Sequence, residues 1–400
     1  MKFAIGFKLS IMMFLEYFIW GSWYVTLGTY MGEHFHDPGI DKTIGYAYSA
    51  LAVATMISPF FVGMVADRFF SAQKIMGVLH IIGAVILYFT TTINDSSVLP
   101  WIVLLYSLLY MPTIALSNSV AFGQMSDPGK QFPWIRVFGT LGWIAAGTIL
   151  GLTHIEKEST PFLIASGVSL LLGLFSFLLP NTPPKGKEAD AASKALGVEA
   201  FVLFKNGPYL IFFIAAILVC IPLSFYFGFA NPFLNELGVD AAAFKMTLGQ
   251  YSEAAFIISI PFLFNSIGVK KMVLLGMTAW ILRYACFAFG NVDTNLWMLY
   301  AGIILHGICY DFFFVTGYMY TEKKAGPKIK ASAQGLFTFA TYGVGMFIGT
   351  WVSGQVVNHY KSESGHDWMK IWFVPAYIAV AVLIYFILFF KEKKQIEQAS

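Results

Sequence analysis

The chain has 400 residues, 58% of them hydrophobic and 12% charged, with a formal net charge of +3. A soluble domain carries about 25% charged residues, so a soluble globular fold is excluded. Apolar runs of roughly 18 or more residues recur along the chain, each long enough to cross a bilayer core as a helix. The fold class read from this is an all-α integral membrane protein.

The runs predict twelve spans, at about 8–31, 44–66, 73–93, 99–122, 134–154, 160–180, 206–231, 246–265, 271–291, 296–321, 332–357 and 368–390. The first is too long for a signal peptide and no cleavage site follows it, so it is read as a retained helix. With the N terminus inside, 18 of the 25 Lys and Arg residues fall in inner segments and five in outer loops. Arg136 and Arg283 lie within spans. The positive-inside rule then places both termini in the cytoplasm. The net charge reflects topology, and no nucleic-acid partner is expected.

The longest polar stretch, Asn181 to Pro208, separates six spans from six. This predicts an N-terminal half over 1–183, a cytoplasmic linker over 184–205 and a C-terminal half over 206–400 ending in a short cytoplasmic tail. Two six-helix halves around a midplane site is the layout of the major facilitator superfamily. After the second span, GMVADRFFSAQK carries Gly63, Asp67 and Arg68, which resembles that superfamily's loop signature. Arg68 satisfies positive-inside by itself. Asp67 does not, and a charge pair or helix-end contact there would serve as an inner gate.

Charged residues inside a bilayer are costly and usually face a cavity or a partner. Five lie in spans: Glu16, Arg136, Glu253, Arg283 and Asp311. Glu16 is followed by Trp20 and Trp23 at i+4 and i+7, one helix face. An acid beside two aromatic rings suits a sugar or a base, and equally an interfacial anchor. Arg136, Thr140 and Trp143 repeat that spacing, offering fixed donors, a hydroxyl and an aromatic plane. Alternatively, Arg136 snorkels to the surface.

Gln250 and Glu253 share a face of the eighth span. Asp311 is the deepest acid of the second half, with Tyr310 and His306 one turn apart beside it. Arg283 is expected to pair with Glu253 or Asp311. Three acids against two cations leave at least one acid without a cation of its own, and that favours proton coupling through Asp311, Glu253 or Glu16. His80 is read as a hydrogen-bonded packing residue.

Cys220, Cys286 and Cys309 all lie in spans without metal-ligand spacing, and are read as small hydrophobes. No metal or cofactor is expected. With no P-loop, HExxH or GxSxG motif, neither an enzyme nor a self-contained ATP-driven pump is expected.

FLEYFIWGSWYVTLGTYM, YMPTIALSN, FPWIRVFGTLGWI, QYSEAAFIISIPF, WILRYACFAFG, HGICYDFFFVTG and IKASAQG run in order along nearly the whole chain. Together they resemble the nucleoside:proton symporters of the major facilitator superfamily. The resemblance implies a bacterial inner-membrane importer of nucleosides, driven by the proton gradient; a monomer in the bilayer is expected. It implies a substrate site of Arg136, Thr140, Trp143, Gln250, Glu253 and Tyr310, and an acid linked to proton coupling at Asp311; Trp20, His306 and Ser224 are expected as further lining. Ser224 and Phe227 stand where the family has amide side chains, His306 where it has a tyrosine and Trp143 where it has a phenylalanine. Those departures put the preferred substrate at issue. A symporter or facilitator for another neutral solute such as a sugar, or a non-transporting nutrient sensor, are the rival readings.

Overall fold

In the computed structural model the described residues are 3–61, 70–184 and 198–391. The inner-gate candidates Gly63, Asp67 and Arg68 lie outside them. Almost everything described is helix. The elements are α1 (Phe3–Trp23), α2 (Leu27–His34), α3 (Ile40–Phe61), α4 (Ala72–Thr90), α5 (Leu99–Phe122), α6 (Pro128–Leu152), α7 (Thr160–Ser176), α8 (Gly207–Glu236), α9 (Ala242–Phe289), α10 (Leu296–Ile304), α11 (His306–Tyr310), α12 (Thr316–Thr338), α13 (Met346–His359) and α14 (Trp368–Phe389). Among the described residues, eight helical stretches are both long and apolar enough to cross a membrane. The backbone leaves helical geometry at Gly268 and Gly326, both with positive φ. Each of α9 and α12 is therefore two helices meeting at a glycine.

Local chemistry sets the boundaries. The side chains of Asp127, Asn206 and Asp367 each accept a backbone N–H of the helix they precede, at Lys130, Tyr209 and Lys370. These caps satisfy donors that the helix itself leaves free. The break between α1 and α2 is held from outside. The Tyr48 hydroxyl donates to the Tyr24 carbonyl at 2.7 Å and accepts the Gly28 N–H at 3.2 Å.

Helices α1 and α3–α7 form one packed group and α8–α14 another, with α3 and α13 packing on each other about as extensively as on their own groups. The two groups meet where α3 lies on α13, α6 on α9 and α2 on α8. Glycine makes the first seam close: a Cβ on Gly354 would sit 2.8 Å from the Asp41 carbonyl oxygen and 3.0 Å from the Gly45 Cα. Beside it the Ser49 and Thr350 hydroxyls bond at 2.6 Å.

Loops sort onto two ends. At one end Lys8 donates to the Leu178 carbonyl, the Ala72 N–H to the Thr182 carbonyl, and Gln73 to Asn181. At the other end lie the segments near residues 33–41, 153–160, 236–243 and 359–368. There a two-stranded antiparallel hairpin, β1 (Lys361–Ser362) with β2 (Gly365–His366), pairs Lys361 opposite His366. Gly365 makes its turn at φ 113°, a conformation that suits a residue without Cβ.

Candidate functional site

On the first group of helices, α6 presents Arg136, Thr140 and Trp143 along one half-buried stripe. The Arg136 guanidinium does not run free to a surface: it lies 4.0 Å above the ring of Tyr17 on α1. One turn further along α1, Trp20 meets Trp143 edge to face at 5.4 Å. A cation, a hydroxyl and two indoles therefore share one wall.

The second group supplies the facing wall. Gln250 and Glu253 are half-buried on the first part of α9. His306 begins α11, where its ring stacks on Tyr226 at 5.0 Å, meets Phe227 edge-on at 6.2 Å and lies 5.6 Å from Tyr310. The hydroxyls of Tyr310 and Tyr342 bond to each other.

Both tyrosines adjoin or lie in π-helical stretches, Asp311–Val315 and Phe339–Gly345. Such stretches add a residue to a turn and recur at functional sites. Asp311 opens the first of them. It is completely buried, and neither carboxylate oxygen has a hydrogen-bond partner among the described residues.

The two walls are joined by rings. Trp143 lies 6.2 Å from Tyr24, Tyr24 lies 5.7 Å from Phe227, and Phe227 leads to His306 and Tyr310. The structure thus brings Arg136, Thr140, Trp143 and Trp20 together on one wall, and Glu253, His306 and Tyr310 on the other. Tyr17, Tyr24, Tyr226, Phe227 and Tyr342 complete this surface. Sequence reasoning marked Phe227 only as a departure from the family's amides and gave the other four no place, since each is one aromatic among many on an apolar helix.

Other placements differ from expectation. Arg283 is fully buried, and no carboxylate lies within ion-pair distance of it among the described residues. Its Nη1 instead meets His306 Nδ1 at 2.9 Å, and its guanidinium covers the Tyr226 ring at 3.4 Å. Glu16 turns into the first group of helices. Its carboxylate bonds His80 Nε2 at 2.9 Å and accepts from the Thr113 hydroxyl at 2.6 Å, with no exposed surface. Trp23 packs on Tyr106 and Phe162 and is almost fully buried. The stripe read from i+4 and i+7 spacing runs along α5, with Glu16 against Thr113, Trp20 against Tyr110 and Trp23 against Tyr106, so Glu16 and Trp23 are held in the packed interior of the first group. Ser224 donates to the Cys220 carbonyl at 2.8 Å and lies against Met346 on α13, so its hydroxyl is engaged in helix packing. His80 is hydrogen-bonded as expected, to Glu16 and Ser169.

At the end holding the hairpin, polar contacts cross between the two helix groups. Thr29 donates to Asn231 at 2.5 Å, and Asn231 donates to the buried Glu156 carboxylate at 2.9 Å. Glu156 also accepts from Asn235 and from the Ala243 N–H. His366 bonds Glu236 at 2.6 Å through Nδ1 and reaches Asp41 at 3.4 Å through Nε2. Lys361 reaches the same Asp41 oxygen at 3.5 Å. Burial opposes charge on His366, yet the Asp41 and Glu236 carboxylates push its pKa up to about 9.

Comparison with known proteins agrees with this geometry. The sequence profile of the family described as nucleoside H+ symporter matches residues 2–395. A putative nucleoside transporter of Escherichia coli, YegT, is 40% identical, over 96% of this chain and 93% of its own length. The xanthosine permease of Escherichia coli is 37% identical over 97% and 96%. The crystal structure of the nucleoside transporter NupG superposes with a TM-score of 0.89 at 34% identity, covering 97% of this chain and all of that one. A peptide-transporter-family structure shares the fold at a TM-score of 0.70 and 14% identity, covering 96% of this chain and 97% of that one. A multi-pass helical membrane protein whose two polar walls are bridged by aromatic rings, this chain belongs to the nucleoside:H+ symporter family, with the fold of major facilitator transporters.

Proposed function

We propose that the protein imports nucleosides with protons across a bacterial inner membrane, as a monomer with both termini cytoplasmic. The carrying observation is the facing pair of walls, each with aromatic rings beside charged or polar groups. A nucleoside has a flat ring, several hydroxyls and no charge. Trp143 and Tyr310 offer faces to the base, and stacking of a base on an aromatic side chain contributes about 1–3 kcal/mol. Arg136 and Thr140 donate to ribose or base oxygens, while Gln250 and Glu253 bond the opposite side.

Asp311 is the group we assign to the proton. A buried carboxylate without partners has nothing to offset its charge, so the barrier to helix movement depends on whether a proton is bound. In this scheme the hairpin end faces outside, and the contacts at Glu156 and Asp41 form its closed state. The Asp67–Arg68 turn gates the inner end between two six-helix halves. The proton gradient is the energy source, and with the inside negative each proton contributes about 2.3 kcal/mol per 100 mV.

Uptake of radiolabelled uridine, adenosine and xanthosine into vesicles tests the reading, with and without an inward proton gradient. Gradient-driven accumulation is expected for at least one of them, collapsing to passive equilibration in Asp311→Asn. Accumulation of sugars but no nucleoside would refute the substrate, and uptake indifferent to the gradient would refute the coupling.

A further inference from the structure

Arg283 is a fully buried cation with no acid within ion-pair distance among the described residues, and the rings of Tyr226, Trp280 and Phe287 surround it. Such a residue is expensive in a membrane and calls for a role. Its neighbours supply one. A guanidinium has five N–H donors, no acceptor, and is always charged. At 2.9 Å from His306 Nδ1, Arg283 can only donate, so Nδ1 must present its lone pair. The ring proton then sits on Nε2. A doubly protonated ring would set donor against donor and cation against cation. Tyr226 fixes both partners, since it carries the guanidinium at 3.4 Å and stacks with the imidazole at 5.0 Å.

The consequence appears on the far edge of the imidazole. Nε2 lies 4.0 Å from the Glu253 carboxylate, too far for a direct hydrogen bond. A donor and an acceptor therefore stand side by side, Glu253 being partly exposed at 29%. We infer that Arg283 is a positioning residue for the substrate site: it locks His306 as an Nε2–H donor, which with Glu253 reads a ligand edge carrying an acceptor next to a donor. This rests on the reading of that wall as part of a nucleoside site. Two parts of a nucleoside have this chemistry, an N–H beside a carbonyl on the base and the neighbouring hydroxyls of ribose.

The test joins a spectrum to transport kinetics. Protein labelled with nitrogen-15 histidine is compared with His306→Gln, which identifies the His306 signals by their loss. The wild-type ring is expected as the Nε2–H tautomer, and in Arg283→Met its signals move toward a mixture of tautomers. In uptake, Arg283→Met raises KM about tenfold with kcat held within about twofold, the cost of one misdirected hydrogen bond. His306→Gln also raises KM, and adding Arg283→Met to it adds little further. An equal penalty for uridine and 2′,3′-dideoxyuridine places the contact on the base, and a penalty confined to uridine places it on ribose.

A wild-type His306 found as Nδ1–H or doubly protonated overturns the inference without needing any Arg283 variant. So does a folded Arg283→Met protein with unchanged tautomer and KM, or a double variant whose penalty is the sum of the two. Failure of the wild-type protein to take up uridine, adenosine and xanthosine alike would instead overturn the nucleoside reading, and the spectrum would still decide Arg283.

Discussion

Glu156 and Asn231 meet across the two helix groups, the Asn231 amide donating to the Glu156 carboxylate at 2.9 Å. The same carboxylate takes the Ala243 N–H at 2.8 Å and the Asn235 amide at 3.1 Å. A loop of the first group thus holds two helices of the second. Glu156→Ala leaves buried donors on α8 and α9 unpaired, at a cost of about 1–3 kcal/mol. The closed arrangement of this end should lose population accordingly. Spin labels on the exposed residues Glu158 and Ser364 should show a longer distance component in the variant. An unchanged distance distribution would mean the contact does not hold the end shut.

His366 makes the same end sensitive to alkali. Its pKa rises from the ordinary 6.5 to about 9 in the closed arrangement, under the influence of Asp41 and Glu236 and despite burial and the nearby Lys361. A raised value means that the stabilisation is fully present below about 6.5 and fades as pH climbs through about 9. The long-distance component should therefore grow between pH 7 and 10. His366→Gln should flatten that dependence, and a slope surviving the substitution would assign it elsewhere.

The glycine seam gives a steric prediction. A methyl group at Gly354 would press on the backbone of Asp41 and Gly45, neither of which is the movable tip of a side chain. Gly354→Ala should keep the protein folded but hold α3 and α13 apart. Transport should fall about tenfold or more, as expected when overpacking costs about 1–3 kcal/mol. Uptake rates with the same label pair distinguish this from misfolding, because a trapped protein still gives a defined distance.

Trp143 should contribute through its ring. Trp143→Leu removes a face that meets both Trp20 and Tyr24, and nucleoside KM should rise at least about fivefold, at the lower end of base-stacking energies. Trp143→Phe should retain most of the affinity. Competition by sugars lacking a base should be equally weak in all three proteins.

The helices were legible because crossing a bilayer demands long apolar runs, and that demand leaves few alternatives. The Arg136, Thr140 and Trp143 stripe was legible because α6 stays helical past all three. The stripe at Glu16 was legible as a face too, but spacing does not say what the face meets, and α5 covers Glu16 and Trp23 while Trp20 reaches Trp143. Counting charges suggested an acid for Arg283, but a count ignores that imidazole and aromatic faces also hold a guanidinium. Glu156 escaped notice for a simpler reason: an acid in a loop between spans looks solvated, and its burial depends on α8 and α9, far away in sequence.

Tyr24 and Phe227 are a shared boundary between the two walls, and parting the walls at that level exposes a face of each ring. Bare aromatic surface is costly to wet. A flat guest slipped between the parted rings recovers what they lost, so the same area that rewards occupancy also sets the toll for separation. Enlarging either ring would then strengthen the hold on the guest while slowing its turnover, and affinity and speed could not be raised together through this pair.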